Sequence, residues 1–215
     1  MLDLADLTSI RHFAADTARH HDHLDILVNN AGVMMPPRAL TQDGFESQFG
    51  TNHLGHFALT GLLLPMLDAA PDGRVVTVTS TEHKHGHIYW DDLDGAADYK
   101  PRAFYQQSKF ANAVFGLELH RRLRAASRRT ASLLAHPGYS ATNLQSSGPT
   151  GLAKQVMRLT NRVVAQDPRR GVLPQLFAAT NPTARSGEFI RPRRPSREPR
   201  PGPPASRPST LHATR

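Results

Sequence analysis

The chain has 215 residues and a formal net charge of +8, and 39% of its residues are hydrophobic, which is sufficient for one core. Because it contains no cysteine, it can form neither a disulfide framework nor a thiolate metal site, as is typical of a reducing compartment. No apolar run approaches the roughly 20 residues that span a bilayer, and the N-terminus lacks the pattern of a signal peptide. We therefore expect one cytoplasmic domain without a transmembrane segment.

Most of the positive charge lies at the C-terminal end. Residues 181–215 hold eight arginines and two glutamates, and the prolines of "RPRRPSREPRPGPPASRPST" are too dense for a helix or a sheet. The composition predicts a domain over residues 1–180 and a disordered, Pro/Arg-rich tail over residues 181–215. A solvated tail is favoured over contact with a nucleic acid or an SH3-type domain.

Residues 1–180 alternate helical patterns with short apolar runs, which predicts an α/β fold with a parallel sheet. The predicted helices cover residues 7–20, 43–69, 101–126, 150–165 and 170–179, and the predicted strands are 24–30, 73–80, "TASLLAHPG" and the start of a last strand at "SGEFIRP". Thr8 or Ser9 is the expected cap of the first helix. The segment 81–100 is expected to be a loop with a weak hairpin.

Unusual residues follow the predicted strands where they end. They are Asn29-Asn30-Ala31-Gly32, Thr79-Ser80 and His136-Pro137-Gly138. Open parallel sheets bind ligands beyond the carboxyl ends of their strands. Tyr105 and Lys109 lie one helical turn apart, so both can face the same crevice. Four segments are therefore predicted to converge on one pocket.

Three histidines, His83, His85 and His87, alternate as the ligands of a metal on a strand would. They lie in the segment predicted to be a loop, and a solvated loop is favoured for them. We expect no metal site.

Together these residues resemble the short-chain dehydrogenase/reductase family, and within it the retinol-dehydrogenase-like branch. The similarity extends from residue 2 to about residue 180 and is carried by "LDL", "DILVNNAGVMMPP", "TNHLGHFALTGLLLP", "RVVTVTS", "FYQQSKFANAVF" and "HPGYSATNL" in the family's order. It implies a Rossmann-type doubly wound parallel sheet, NAD or NADP as coenzyme, and hydride transfer between an alcohol and a carbonyl. The branch implies a lipophilic small-molecule substrate, and the family implies a homodimer formed through helices 43–69 and 101–126.

The resemblance assigns catalytic roles to four residues. Tyr105 resembles the general acid/base, and because a free tyrosine near pKa 10 is a poor base, it needs the cation of Lys109 to favour the phenolate. Lys109 would also hold the ribose hydroxyls of the coenzyme. Ser80, rather than its neighbour Thr79, resembles the hydroxyl that binds the substrate oxygen. Asn52 resembles the asparagine that anchors a water of the proton relay, at a local helix irregularity.

On the adenosine side, the resemblance assigns Asp3 to the adenine amino group, with the Leu4 backbone beside it. Asn29, Ala31 and Gly32 would line the adenosine ribose, where glycine permits close approach of the backbone. Two alternatives from the residues alone stay open. Asp3 could cap the following helix, and asparagine at position 29 could simply terminate a strand.

On the nicotinamide side, Pro137, Gly138 and Thr142 resemble the segment that holds the carboxamide of the coenzyme. Fixing that amide determines which face of the ring presents the hydride. The resemblance also assigns Tyr105 and Lys109 to the coenzyme site.

The family's glycine-rich turn, Thr-Gly-x-x-x-Gly-x-Gly, is expected ahead of "LDL" but does not occur in these 215 residues. That turn binds the pyrophosphate at a helix N-terminus, so the resemblance implies an incomplete sheet without the first βαβ unit. The strand over 24–30 would then have an exposed apolar edge. The alternative function is a catalytically inactive fragment, or an interaction module, that lacks the pyrophosphate-binding turn.

Overall fold

The computed structural model describes residues 1–137 and 171–192. The predicted helix over 150–165, the positions Gly138 and Thr142, and the tail beyond residue 192 lie outside these residues. None of the helices within the described ranges is long and apolar enough to cross a membrane.

Helix α1 spans Leu7–His20, the range that the sequence predicts. Its apolar positions Ile10 and Ala14 are buried against helix α3, at Gly55–Ala69, in a cluster with Leu59 and Leu63. The expected cap was wrong, since Asp6 has an extended backbone and its carboxylate accepts a hydrogen bond from the Thr8 N–H. A side chain that precedes the first helical residue can reach the free N–H groups of the first turn, whereas Thr8 already lies within the helix.

Four parallel strands form one sheet in the order β1-β2-β3-β4. They are β1 at Ile26–Asn29, β2 at Arg74–Val78, β3 at Ala131–Ala135 and β4 at Phe189–Ile190. Strand β4 lies within the segment 181–215, so this segment is not tail throughout. The "SGEFIRP" pattern had predicted a strand here, and its pairing with β3 confirms it.

Strand β1 lies at the edge of the sheet in the described residues. Its side chains Ile26 and Val28 remain 37% and 41% exposed, whereas all of β2 is buried. The predicted apolar edge at this strand is therefore confirmed.

The predicted long helix over 43–69 begins later and is divided into three parts. They are α2 at Ser47–Phe49, a π-helical turn at Gly50–Leu54 and α3 at Gly55–Ala69. The Glu46 carboxylate caps the start by accepting from the Gln48 and Phe49 N–H groups. The irregularity predicted at Asn52 is confirmed, because Asn52 lies in the π-helical turn.

The hairpin predicted in residues 81–100 was wrong. Ser80 caps a 3-10 helix at Thr81–His85, and the following chain turns around Asp92, whose carboxylate accepts from the N–H groups of Ala97 and Asp98. These local side-chain acceptors satisfy backbone donors that a hairpin would have paired across two strands.

Helices cover both faces of the sheet. Helix α4 at Pro101–Ala125 packs on one face, where Gly116 lies against Leu134 so closely that a Cβ would meet its Cδ2 at 2.6 Å. Helix α5 at Leu173–Thr180 packs on the other face through Ala178, against Val76 and Leu133. Successive residues of a strand point to opposite faces, so β3 contacts both helices, and the doubly wound arrangement predicted from the sequence is present.

Candidate active site

The carboxyl ends of β1, β2 and β3 lie side by side. Asn29 pairs with Thr77 across the first two strands, and Val78 pairs with Ala135 across the next two. Beyond the paired region, the Thr79 N–H still bonds to the Ala135 carbonyl at 2.9 Å. The register therefore brings together, at the carboxyl end of the sheet, the residues that follow these strands. The sequence predicts this for those of them that lie in the described ranges.

Tyr105 and Lys109 lie on α4 above this edge, and each is only 4% exposed. The Lys109 ammonium stands 5.8 Å from the centre of the Tyr105 ring. Burial raises the pKa of the phenol to about 12, although a hydrogen bond with Ser80 lowers it in part. Burial lowers the pKa of Lys109 to about 8. The sequence argument expected the lysine cation to depress the phenol's pKa, but burial of the phenol raises it, and the charge of Glu82 adds to the rise.

Two contacts fix Lys109 against the end of β2. The Thr79 hydroxyl donates to the Lys109 carbonyl at 2.8 Å, and the Lys109 ammonium donates to the Val78 carbonyl at 3.3 Å. Thr79 thus has a structural contact, and the role of Ser80 towards the substrate stays a prediction. Within the described residues, the ammonium makes this one hydrogen bond, so two of its three donors remain for a ligand.

Ser80 lies where β2 gives way to the 3-10 helix. Its hydroxyl accepts from the Glu82 N–H at 3.3 Å, and its carbonyl bonds to the His83 ring. The side chain is partly exposed and interacts with the phenol of Tyr105. A hydroxyl in this position can bind an oxygen that is also within reach of the phenol.

Asn52 is fully buried, and protein groups occupy both ends of its amide. Its Oδ1 accepts from the Val33 N–H at 2.7 Å, and its Nδ2 donates to the Val33 carbonyl at 2.9 Å and to the Ser108 hydroxyl at 3.0 Å. Its backbone carbonyl accepts from the side chains of His56 and Asn112. The structure thus shows Asn52 joining three segments, while its part in a proton relay stays a prediction.

The residues assigned to the adenosine side are dispersed around the start of the chain and the end of β1. Asp3 is exposed and accepts from the Ala5 N–H at 2.8 Å, and Leu4 is partly buried. Asp3 is not the cap of α1, since Asp6 has that role. Asn29 is buried, and its Nδ2 donates to the Thr60 hydroxyl while its Oδ1 has no partner in the described residues.

Ala31 and Gly32 lie in the loop that follows β1, where Ala31 is exposed and Gly32 is partly buried. At Gly32 a Cβ would meet Asn52 Oδ1 at 2.6 Å, so glycine is required for the backbone to approach this amide. Pro137 lies two residues beyond Ala135, the last residue of β3, whose carbonyl bonds to the Thr79 N–H. Gly138 and Thr142 lie outside the described residues.

The sequence reasoning missed three buried polar residues in this region, namely His56, Ser108 and Asn112. Asn112 follows Tyr105 and Lys109 at the spacing i, i+4, i+7, which places all three on one helix face and could have indicated it. His56 follows Asn52 by four residues, and its ring bonds to the Asn52 carbonyl at 3.0 Å. Burial lowers the pKa of His56 to about 4, so its ring is neutral at physiological pH.

A profile of the family described as short chain dehydrogenase matches residues 1–150. The chain belongs to the short-chain dehydrogenase family. Human retinol dehydrogenase 13 is 49% identical over 144 residues, which are 66% of this chain and 43% of that protein. Human retinol dehydrogenase 14 is 40% identical over 182 residues, covering 84% of this chain and 54% of that protein. These similarities place the chain in the retinol-dehydrogenase-like branch.

Other relatives extend the comparison. Mouse polyprenol dehydrogenase is 42% identical over 196 residues, which cover 88% of this chain and 58% of that protein. A crystal structure of an uncharacterised protein from Mycobacterium paratuberculosis has a TM-score of 0.70 and 46% identity, covering 89% of this chain and 61% of that one. The chain thus spans about half the length of the curated relatives that it matches.

The fold alone is shared more widely. A short-chain dehydrogenase from Burkholderia cenocepacia, solved in complex with NADP, has a TM-score of 0.62 at 21% identity and covers 89% of this chain and 73% of that one. This likeness confirms the Rossmann-type fold that the sequence predicts.

Proposed function

We propose that this chain contributes the catalytic part of an NAD(P)-dependent oxidoreductase that interconverts an alcohol and a carbonyl. The observation that carries the proposal is the buried pair Tyr105 and Lys109, with Ser80 in contact with the phenol at the end of β2. Membership of the short-chain dehydrogenase family supports it. The coenzyme would supply the hydride for reduction and accept it for oxidation.

In the reducing direction, the neutral phenol of Tyr105 gives its proton to the carbonyl oxygen of the substrate. A pKa of about 12 keeps the phenol protonated at neutral pH, and this suits the donor role. Ser80 would hold the same oxygen and stabilise the negative charge that develops on it.

In the oxidising direction, Tyr105 must accept a proton, and a phenolate in a buried site requires positive charge nearby. Lys109 provides that charge, because a pKa of about 8 leaves it mostly protonated at pH 7. Its two remaining donors fit the ribose hydroxyls of a nicotinamide nucleotide. The residues that are present thus fit NAD or NADP on the nicotinamide side.

The proposal extends the coenzyme site to the other residues that the resemblance assigns. On the adenosine side these are Asp3, Leu4, Asn29, Ala31 and Gly32. The buried Oδ1 of Asn29 supports this part, because it is an acceptor that has no hydrogen-bond donor among the residues that the structure describes. Pro137, Gly138 and Thr142 would hold the nicotinamide carboxamide. Asn52 would organise the proton relay behind Lys109.

A lipophilic alcohol or aldehyde is the proposed substrate. Relatives named retinol dehydrogenase and polyprenol dehydrogenase support this class, since both names denote long apolar alcohols. The cytoplasmic location and the homodimer stay predictions from the sequence.

The second candidate is a catalytically inactive member of the family that acts as an interaction module. It is favoured by the exposed apolar edge that β1 presents in the described residues. The family's glycine-rich turn would supply several charge-assisted hydrogen bonds to the pyrophosphate, each worth about 1.5–3 kcal/mol. A protein that consisted of these 215 residues alone would not contain that turn and would therefore bind the coenzyme weakly.

Calorimetric titration of NADH and NADPH, followed by a dehydrogenase assay with retinol and a short polyprenol, tests the two candidates. Coenzyme-dependent turnover that is lost in Tyr105→Phe supports the oxidoreductase. Absence of both coenzyme binding and turnover in a folded chain favours the inactive module. The Arg11→Ala variant, which changes an exposed residue of α1, is the control.

A further inference from the structure

Asn112 lies on the same face of α4 as Tyr105 and Lys109 and is 1% exposed. None of the assignments made above for coenzyme, substrate or catalysis uses it. A buried carboxamide must satisfy its donors and its acceptor from the protein, because each unsatisfied group costs free energy. Its three partners therefore indicate what holds it in place.

The contacts fix the orientation of the Asn112 amide. Its Nδ2 donates to the Asn52 carbonyl at 2.9 Å and to the Val78 carbonyl at 3.3 Å. Both partners are backbone carbonyls, which only accept, so the nitrogen must face them. The Oδ1 lies 3.1 Å from His53 Nδ1 and accepts its proton when the ring is in the Nδ1–H tautomer.

One of these carbonyls is shared with Lys109. The Lys109 ammonium donates to the Val78 oxygen at 3.3 Å, the same distance as Asn112 Nδ2. The two nitrogens therefore converge on one oxygen at the last residue of β2. The Asn52 carbonyl holds the amide from the side of the π-helical turn, so Asn112 ties that turn to the strand end at the place where Lys109 is anchored.

We propose that Asn112 is a positioning residue for Lys109: it holds the Val78 carbonyl in place and shares that oxygen with the ammonium, which sets where the charge stands relative to Tyr105. The proposal deepens the proposed function and depends on it for its catalytic meaning. The position of the Lys109 ammonium can be tested without measuring turnover, because it affects the pKa of that group in the folded chain.

Within residues 1–137 and 171–192, three titratable groups are seen to interact with Lys109. They are Tyr105 on the same helix, His56 from α3 and His136 after β3. Burial lowers the pKa of each of these two histidines to about 4, so both are uncharged near the pKa of Lys109. Burial also lowers the pKa of His53, which bonds to the Asn112 Oδ1, so these three histidines are uncharged at the pH where Lys109 titrates in the parent chain.

The experiment measures the pKa of Lys109 by NMR in the full chain with ¹³C-labelled lysine. The chain has four lysines, so the spectrum is simple, and the Lys109 signal is assigned by its loss in Lys109→Met. In Asn112→Asp, a carboxylate replaces the donor beside the shared oxygen, and the pKa of Lys109 should rise by about one unit or more.

The matched control is Gln107→Glu, which makes the same amide-to-carboxylate change in a buried residue of α4. Gln107 is two positions from Lys109, on the opposite side of the helix, and its Oε1 accepts from the Tyr89 N–H at 2.7 Å. A clearly smaller shift of the Lys109 pKa in this variant than in Asn112→Asp is expected. Equal shifts in both variants, or no shift in Asn112→Asp, would overturn the proposal.

If Asn112→Asp does not fold, Asn112→Ala replaces it. Removing the amide frees the Val78 oxygen for the ammonium and admits water, and both effects favour the charged lysine, so the pKa should rise by less than in Asn112→Asp. Gln107→Ala should leave the pKa unchanged, and an unchanged value in Asn112→Ala as well overturns the proposal. A chain that shows the expected shift but has no dehydrogenase activity would refute the proposed function and leave the positioning of Lys109 intact.

Discussion

The Asn52 side chain binds both backbone groups of Val33, since its Oδ1 accepts from the Val33 N–H at 2.7 Å and its Nδ2 donates to the Val33 carbonyl at 2.9 Å. This pair of hydrogen bonds joins the π-helical turn to the loop that follows β1. The same amide reaches Ser108 on α4, so one buried side chain connects the proposed adenosine side to the helix of Tyr105 and Lys109. The arrangement requires that the loop backbone pass directly over the amide.

We expect Gly32→Ala to destabilise the fold, because its Cβ would meet Asn52 Oδ1 at 2.6 Å and displace the amide from Val33. A buried N–H without its acceptor costs about 1–3 kcal/mol. Gly61→Ala is the control, since no atom lies within 4 Å of its Cβ position and alanine in an exposed helix interior gains about 0.5–1 kcal/mol. Urea unfolding measures both, and an equal or higher stability of Gly32→Ala would contradict the role of Asn52.

The sequence predicted the elements whose patterns are strong and local. The periodicity of residues 7–20 located α1, and the short β-branched runs located β1 and β2. The weak hairpin failed because Ser80 and Asp92 accept local backbone N–H groups and favour turns, an effect that apolar patterning does not report.

Ser80 and Thr79 are adjacent hydroxyl residues with different contacts, which provides a direct comparison. We expect Ser80→Ala to lower kcat by about 10²-fold or more, since a donor to the developing oxyanion is removed. Thr79→Val should instead lower stability by about 1 kcal/mol through loss of the bond to the Lys109 carbonyl, with kcat of the same order as the parent.

Parallel measurements of turnover and of urea unfolding separate the two effects. Ser80→Ala also removes the cap of the 3-10 helix, which costs about 1 kcal/mol, so the two variants should lose similar stability and differ in kcat. A larger loss of kcat in Thr79→Val than in Ser80→Ala would reverse the assignment of the two residues.

The candidate site was predictable only in part. The ends of parallel strands and the spacing of Tyr105 and Lys109 follow from general rules, whereas the partners of Asn52 and Asn112 arise from segments far apart in sequence. The direction of the Tyr105 pKa shift could not be predicted, because the sequence shows a lysine one helical turn away but not the burial of the phenol that raises its pKa.

Stability is expected to fall as the pH drops from about 6.5 towards 4, because His56 is buried and neutral. Its folded pKa of about 4 lies below the unfolded value of 6.5, so the unfolded chain binds more protons within this window. The full effect of this one residue is about 3 kcal/mol at 1.36 kcal/mol per unit.

His56→Gln keeps a side-chain donor for the Asn52 carbonyl but does not titrate. Unfolding in urea at several pH values should therefore show a shallower loss of stability in this variant than in the parent chain. The exposed His12 supplies the control, and His12→Gln should leave the pH slope unchanged. Identical slopes in His56→Gln and the parent would exclude His56 as a source of acid sensitivity.

Lys109→Met should make the fold more stable and the enzyme inactive. At neutral pH the ammonium is charged in both folded and unfolded chains, and the lowered pKa of about 8 means that its burial costs about 3 kcal/mol. Methionine keeps most of the volume without the charge. Both kcat and coenzyme affinity should fall, since Lys109 is proposed to support the phenolate and to hold the ribose. A variant that loses stability or that keeps coenzyme affinity would contradict the assignment.

Tyr105→Phe should abolish turnover and leave coenzyme affinity nearly unchanged. The substitution removes only the phenolic hydroxyl, and a positioned acid/base group contributes typically about 10²- to 10⁴-fold to the rate. The ring remains in place among buried neighbours of α4, so unfolding in urea should detect no major loss of stability.

Tyr99→Phe is the matched control, because it removes the same phenolic hydroxyl at a position where that hydroxyl donates to the Pro36 carbonyl instead of interacting with Ser80. Steady-state kinetics together with NADH titration tests the pair: Tyr99→Phe should lose stability and keep turnover. A Tyr105→Phe variant whose kcat is of the same order as that of the parent would show that another group transfers the proton.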